Sequence, residues 1–123
     1  MSILQQLTTL LEPILPIETG IFNGKAPKEY IILTPLTDSF ELFADNKPEV
    51  EVQEVRLSLY SKGNYLVLKK RIVDILLEAD FAITDRRYVG HEDDTGYHHY
   101  AIDVAKEFIY YKRAKTVPVN LQY

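Results

Sequence analysis

The chain has 123 residues, of which 46% are hydrophobic and 26% charged, with no cysteine and a formal net charge of −4 at pH 7. A chain of this length buries enough apolar surface to fold as one domain without covalent or metal cross-links. Because it has no cysteine, it forms neither disulfides nor thiolate metal sites. The negative charge argues against broad binding to a nucleic-acid phosphate backbone, and no sequence-specific nucleic-acid partner is expected. The polar first 15 residues argue against a signal peptide or membrane span. We therefore expect one soluble domain over residues 1–111 and a flexible tail over residues 112–123.

The N-terminal residues predict a short helix followed by a loop. Ser2 is a suitable N-cap, and the apolar residues after it recur at the helical period. Pro13 disfavours a helical conformation in the residue before it, so the helix should end near Leu11 or Glu12. Residues 17–28 contain glycine and proline at turn-like intervals and are predicted to form a loop.

Two strands are predicted next. Residues 30–34 form a short apolar run that Pro35 should close, and residues 36–48 are polar enough to be predicted irregular. Residues 49–60 alternate between apolar and polar side chains, but the apolar phase slips by one residue at residues 53–54. A β-bulge at that point, or two short strands, would account for the slip.

The clearest predicted element is a helix over residues 65–79, with Asn64 as its N-cap. Its apolar side chains form two stripes that together cover an arc of about 200°, which is wider than contact with one sheet needs. Because the first stripe already covers the sheet, we expect a residue of the second stripe to contact another subunit or an extra loop. The second stripe consists of Leu66, Val73 and Leu77.

Two further strands are predicted in the C-terminal part. Residues 81–89 form the first, a polar loop over residues 90–96 follows, and residues 97–111 form the last. A strand of that length spans about 50 Å, whereas a domain of this size has a radius of gyration of about 14 Å. The last strand must therefore bend, or project and pair outside its own domain. Tyr97 and Tyr100, at an exposed strand end, would suit an interface between subunits.

The predicted order of elements is helix, strand, strand, helix, strand, strand. This order indicates an α+β domain with a mainly antiparallel four-stranded sheet and two helices packed on one face.

Charge is distributed unevenly along the chain. Residues 38–54 contain six acidic side chains and one basic side chain, a net charge of −5. After residue 111 the charged side chains are Lys112, Arg113 and Lys115, a net charge of +3. The two stretches are either solvated surfaces or complementary patches on neighbouring subunits. If the two stretches are complementary patches, we expect apolar contacts to supply most of the affinity between subunits, because exposed ion pairs contribute only about 0–1 kcal/mol each.

Three short segments contain side chains capable of chemistry. His91 and the acids after it could bind a divalent metal with one histidine of residues 98–99, but not both, because adjacent strand residues face opposite sides. Asp94-Thr95-Gly96 matches the catalytic triplet of aspartic proteases, although polar neighbours flank it where a buried catalytic loop has apolar ones. Residues 61–64 either hold an anion at a helix start or simply cap the helix.

A resemblance to a known family rests on the order of several segments. Residues 30–35 form a short apolar strand that ends in Thr-Pro, and residues 55–60 run into Lys62-Gly63-Asn64-Tyr65 and the amphipathic helix. Phe81, the acidic turn over residues 92–96 and a last apolar strand follow. From about residue 30 to residue 111, this pattern resembles the tail-terminator, or tail-completion, proteins of long-tailed bacteriophages. The apolar residues that carry the resemblance in the last strand are Tyr100, Ile102, Val104 and Phe108.

Membership of that family would imply a structural role. The resemblance implies a homo-oligomeric ring, usually a hexamer, that caps the finished tail tube and joins it to the neck of the head. Its partners would be the tail-tube protein and a head-neck connector protein, and it would reside in the virion after assembly in the host bacterial cytoplasm. The resemblance implies no catalytic residue, cofactor or metal. Two alternatives remain: another connector or head-completion protein of such viruses, and a small metal-dependent or aspartic-protease-like enzyme.

Overall fold

The computed structural model describes residues 2–110, which fold into two helices and one five-stranded sheet. The strands lie in the order β1-β2-β3-β5-β4, with β1 parallel to β2 and the other neighbouring pairs antiparallel. The class is α+β, but the predicted four-stranded, mainly antiparallel sheet is wrong, because a fifth strand adds a parallel pair. The elements are α1 (Ile3–Leu11), β1 (Ile17–Thr19), β2 (Glu29–Ala44), β3 (Lys47–Ser61), α2 (Tyr65–Glu78), β4 (Ala82–His91) and β5 (His98–Ile109).

The unpredicted strand β1 lies within the segment that the sequence indicated as a loop. It has only three residues, too few for an alternating pattern to be recognised. A backbone hydrogen bond of 2.9 Å from the N–H of Ile31 to the carbonyl of Pro16 holds the segment against β2. Ile17 is buried in the core, so it anchors this short edge strand.

Both helices have the caps that the sequence predicts. The Ser2 side chain accepts a hydrogen bond of 3.3 Å from the N–H of Gln5, whose own side chain accepts one of 3.1 Å from the N–H of Ser2. This reciprocal arrangement is a capping box, and α1 ends at Leu11, as predicted. Asn64 caps α2 by accepting a hydrogen bond of 3.1 Å from the N–H of Leu66.

The hydrophobic core lies between the two helices and one face of the sheet. Neighbouring strands bring apolar residues into register, with Leu33 opposite Leu57 and Leu57 opposite Ile102. Both helices pack on this face, because one buried cluster contains residues of α1, of α2 and of these strands. Alternation along each strand places the remaining side chains on the opposite face of the sheet.

The central strands extend beyond this core as a hairpin. β2 continues to Ala44, and residues 37–54 form an antiparallel hairpin that is called the arm below. Asp45 and Asn46 have φ angles of 54° and 64°, the left-handed values of a two-residue hairpin turn. The prediction that residues 36–48 are irregular is therefore wrong.

Pro35 does not end β2, because the outer edge of the strand is free at that point. β1 pairs with β2 only as far as Leu33, and proline is tolerated on the edge of a sheet. A register shift between Pro35 and Thr37 marks a bulge in β2. The bulge predicted at residues 53–54 of β3 is wrong, since β3 pairs with β5 without a register shift over residues 50–61.

The slip in the apolar phase of β3 reflects a change in what covers the strand. Val55 faces the helices within the core, whereas alternation places Val50 and Val52 on the opposite face. The N-terminus of α1 reaches β3 near Gln53, whose side-chain oxygen accepts a hydrogen bond of 3.0 Å from the N–H of Ile3. Beyond that point the apolar residues of β3 no longer face the helices.

The long last strand is accommodated within its own chain over the described residues. β5 pairs with both β3 and β4 as far as Ala105, and with β3 alone over residues 106–109. Its end thus projects along the arm. The predicted tail over residues 112–123 lies outside the described residues.

The core and the arm should contribute differently to stability. Ile102 is 0% exposed, and Ile102→Ala should lower the free energy of unfolding by about 2–5 kcal/mol because it leaves a cavity. Phe43 on the arm is 63% exposed, and Phe43→Ala should change that free energy by less than about 0.5 kcal/mol. Urea unfolding of the wild type and both variants, under conditions in which the protein is monomeric, measures these changes in the free energy of unfolding. Comparable losses for the two would show that the arm belongs to the folding core.

Candidate interaction surface

The arm carries large apolar side chains that its own chain leaves exposed. Leu42 is 65% exposed, Phe43 63% and Phe40 45%. The end of β5, beside the arm, adds Ile109 at 75% and Tyr110 at 57%. Single apolar residues are common on protein surfaces, but five in one projecting segment form a patch of the kind that marks an interaction site.

Apolar side chains lie on both faces of this segment. On the face that continues the helix-covered side of the sheet, the rings of Phe40 and Tyr110 contact each other, with centroids 4.6 Å apart. On the other face Ile109 lies opposite Val50. A solvated antiparallel sheet normally presents one polar face to water. Since neither face of the arm is uniformly polar, both are suited to contact with another molecule.

The outer edge of β2 is unpaired along the arm within residues 2–110. β1 stops pairing at Leu33, so β2 has no neighbouring strand on that side over residues 34–44. Such an edge is able to pair with a strand of another chain. Pro35, the bulge after it and the charges of Asp38 and Glu41 are features that limit edge pairing. Contacts through the side chains on the two faces are therefore favoured over strand addition.

The arm is also the most acidic element of the sequence. The six acids and one base of residues 38–54 now lie on a single projecting hairpin, with a net charge of −5. Within the described residues Asp38, Glu41 and Glu49 form no ion pair. These carboxylates are therefore available to basic groups of another molecule.

A second exposed apolar surface lies on the outer side of α2. Leu66 is 53% exposed and Val67 63%, and together they border a groove with Lys70, Arg71 and Asp74. This surface combines apolar contact area with positive charge.

The predicted interface residues of α2 are divided between the surface and the core. Leu66 and Leu77 are both more than half exposed, so a partner is able to reach them. Val73 is 9% exposed and packs in the core, because the core-facing side of α2 is wide enough to include it beside Ile72.

The two tyrosines predicted at an exposed strand end are instead buried within their own chain. The loop before β2 covers Tyr97, whose hydroxyl donates a hydrogen bond to the carbonyl of Pro27. Tyr100 packs in the core, and the Nζ atom of Lys69 lies 5.0 Å from its ring centroid. The expectation that these side chains are exposed is wrong, and with it the reason for assigning them to an interface. Lys112, Arg113 and Lys115 lie outside the described residues.

The sheet face opposite the helices is polar beside the core. Arg56 donates two hydrogen bonds to Asp103, from Nε at 2.8 Å and from Nη2 at 3.0 Å. The hydrogen bond to Asp103 raises the pKa of Arg56. Thr84 donates a hydrogen bond of 2.9 Å to Glu54, which links β4 to β3. The first pair joins the neighbouring strands β3 and β5, and the second joins β3 to β4 across β5, so polar groups of this face are satisfied from within the chain.

An aromatic cluster lies on the same face, towards the end of the sheet away from the arm. The ring of Tyr60 stacks between Tyr30 and His99, with centroid distances of 5.0 and 4.4 Å. Phe22, from the loop before β2, packs on Tyr30 at 5.0 Å. Burial raises the pKa of Tyr30 and of Tyr60, and it lowers the pKa of His99. The Nε2 atom of His99 is buried without a hydrogen-bond partner in the described residues, so protonation there is unfavourable.

The histidines of residues 98–99 face opposite sides of the sheet, as predicted. His98 lies on the helix side, 4.8 Å from the ring of His91, and its Nδ1 atom is 2.9 Å from the hydroxyl oxygen of Tyr88. His99 stacks on Tyr60 on the other side. Among residues 2–110, no three His, Cys, Asp or Glu side chains are grouped so that they could hold a metal ion.

The other two chemically capable segments form turns. Asp94, in the triplet that resembles an aspartic protease, is exposed in the turn between β4 and β5. At the start of α2, the N–H of Gly63 donates to the Ser61 hydroxyl at 3.1 Å, and this hydroxyl donates to Glu29 at 3.0 Å. With Asn64 as the cap, these bonds agree with a capped turn instead of an anion site.

Comparisons with known proteins do not assign the chain to a family. No protein-family model matches the sequence, and no curated protein matches it significantly. Within the described residues, no helix is long and apolar enough to cross a membrane.

The arm is the part of the surface that the sequence reasoning missed. Its signal was present in Asp45 and Asn46, two residues that favour left-handed conformations, between two stretches of similar length. The expectation that Pro35 ends the strand is incompatible with a hairpin in this segment, so the hairpin was not predicted.

Stability should fall on acidification because of His99. Its folded-state pKa lies below the ordinary value of 6.5, so the unfolded chain binds more protons as the pH falls through that value. The urea midpoint should therefore decrease between about pH 7.5 and about pH 5.5. His99→Phe, which preserves ring stacking, should reduce this decrease. If the urea midpoint decreases equally in the wild type and in His99→Phe, His99 is not the cause of the pH dependence.

Proposed function

We propose that this protein is a structural assembly protein that associates with copies of itself into a closed ring, and that it acts as a tail terminator of a long-tailed bacteriophage. The observation that carries the assembly role is the arm, whose apolar side chains are exposed on both faces. In the virion the ring would cap the tail tube and meet a connector protein of the head neck.

The arm supports assembly because the fold has a complete core without it. The fully buried side chains belong to the helices and to the strand segments beneath them. The arm adds exposed apolar area, which is unfavourable in water unless another molecule covers it.

Ring formation is supported by the positions of the two exposed apolar surfaces. The arm and the outer side of α2 are different in shape and in charge. An interface that joins two different surfaces is heterologous, and it closes into a ring when the rotation between successive copies permits. The resemblance to tail terminators favours a closed ring, usually a hexamer, over an open filament.

The phage-specific part of the proposal rests on the resemblance of residues 30–111, and one feature departs from it. The strand that contains Thr34-Pro35 continues to Ala44, where the resemblance implies a short strand ending in Thr-Pro. The assembly role does not depend on this feature. Binding of the purified ring to tail tubes, and not to filled heads, would distinguish a terminator from another connector protein.

Oligomer mass as a function of concentration tests the assembly role. Sedimentation of the wild type should show an oligomer that dissociates on dilution. Burying an isoleucine side chain contributes about 1.5–3 kcal/mol, so Ile109→Ser should raise the dissociation constant on the order of 10- to 100-fold.

Ile21→Ser is the matched control. Ile21 and Ile109 are both 75% exposed, but Ile21 lies in the loop after β1 and is not part of the arm. Its substitution should leave the dissociation constant unchanged. A wild type that remains monomeric at every attainable concentration would contradict the proposal, as would equal weakening by the two substitutions.

A further inference from the structure

We infer that the arm of one copy binds the outer surface of α2 of the next copy, so that Leu66 and Val67 receive apolar side chains of the arm while Lys70 and Arg71 meet its carboxylates. This inference rests on the proposed assembly role and specifies which surfaces meet.

The two surfaces are complementary in chemistry. The arm combines exposed Phe40, Leu42 and Phe43 with a net charge of −5 over residues 38–54. The groove on α2 contains two basic side chains, Lys70 and Arg71, and one acid, Asp74, so its net charge is positive. Apolar contact supplies affinity, and opposite charge selects and orients the partner.

The basic groups on α2 are free to exchange partners. Lys70 pairs with Asp74 at 2.9 Å, but the two side chains are 77% and 58% exposed, so this contact is weak and easily replaced. Arg71 forms no ion pair within the described residues. Both groups therefore have capacity for carboxylates of another chain.

The contact must join two copies, because one copy cannot make it. The turn of the arm lies at the start of β3, whereas α2 begins at Tyr65, just after the end of β3. β3 has 15 residues, which span about 50 Å. The arm turn and Leu66 are thus at opposite ends of the molecule. This separation makes the interface head-to-tail, which is the arrangement that a ring requires.

The size of the contact predicts reversible association. The arm is about 26 Å long and about 10 Å wide, or about 260 Å² on each face. The α2 surface of the next copy covers one of these faces, so the contact buries about 260 Å² on each partner, less than the about 800 Å² of a standard interface. One such contact is weak, but in a closed ring each copy takes part in two.

Charge reversal tests which surfaces meet. At low salt, Asp38→Lys with Glu49→Lys, which strand alternation places on the same face of the arm, should raise the dissociation constant about tenfold or more, and Lys70→Glu with Arg71→Glu should do the same. The arm pair lowers the net charge of residues 38–54 from −5 to −1 and places lysines opposite Lys70 and Arg71, whereas the α2 pair makes its groove acidic, so each removes the attraction at every interface of the ring. Combining all four substitutions in one chain, or mixing the two variants, should restore assembly because the new lysines of the arm then face the new glutamates of α2.

Charge-matched controls are available elsewhere on the chain. Lys25→Glu with Lys28→Glu changes the net charge as the α2 pair does, and Glu12→Lys with Glu18→Lys changes it as the arm pair does. Neither control should alter the dissociation constant more than about twofold. Urea midpoints of all variants identify any that fail to fold, and the mixing experiment uses only folded ones.

Other outcomes would overturn the inference while leaving the proposed function intact. Weakening by the arm pair but not by the α2 pair would identify a different occupant for the arm. Deletion of residues 111–123, which contain Lys112, Arg113 and Lys115, then separates two possible occupants of the arm. Weakened assembly would identify the C-terminal segment, and unchanged assembly would identify the arm of another copy. Two weakening pairs that fail to restore assembly when combined would also overturn it. A wild type that never oligomerises would remove both the inference and the function on which it rests.

Discussion

The helices of this protein are much shorter than the strands that they cover, and the surface of the molecule follows from that mismatch. α1 has 9 residues and α2 has 14, which correspond to lengths of about 14 and 21 Å. β3 has 15 residues and spans about 50 Å. A single layer of two such helices protects only part of the sheet. The remainder is the arm, and its apolar residues have no cover within the described chain.

The apolar pattern of the central strand, β3, changes where the helix-covered part of the sheet ends and the arm begins. Where β3 lies under the helices, Val55, Leu57 and Leu59 face them. Past Gln53 the apolar side chains change to the opposite face, and β2 and β5 contribute exposed rings on the helix side. Such a change would make no sense in a strand with one wet face and one dry face. The change leaves apolar side chains on both faces of the arm.

Local signals in the sequence were sufficient for the helices but not for the sheet. The caps Ser2 and Asn64 and the helical period each act within a few residues, so they can be read without knowledge of the fold. The sequence does not show whether Pro35 ends its strand, because the effect of a proline depends on whether another strand pairs on its outer side, which is a property of the topology. The three residues of β1 contain too little pattern to be recognised.

The candidate interface was only partly predictable for the same reason. The excess width of the apolar arc on α2 predicts a second contact; Leu66 and Leu77 are exposed in the single chain, so that contact stays a prediction. The sequence did not reveal that Val73 belongs to the core, or that a loop and a helix cover Tyr97 and Tyr100. Burial of these side chains depends on segments distant in the chain. The acidic stretch was recognised by composition, whereas its shape as an arm required the pairing of β2 with β3.

The central claim is that copies of the same chain cover the arm, and hydrogen–deuterium exchange tests it directly. Amides of the arm, residues 37–54, and of the first turns of α2 should exchange quickly in the dilute monomer and more slowly in the assembled state. Amides of residues 55–61, already covered by the helices, should exchange at the same rate in both states. An arm that exchanges equally fast in the monomer and in the assembled oligomer would contradict the account.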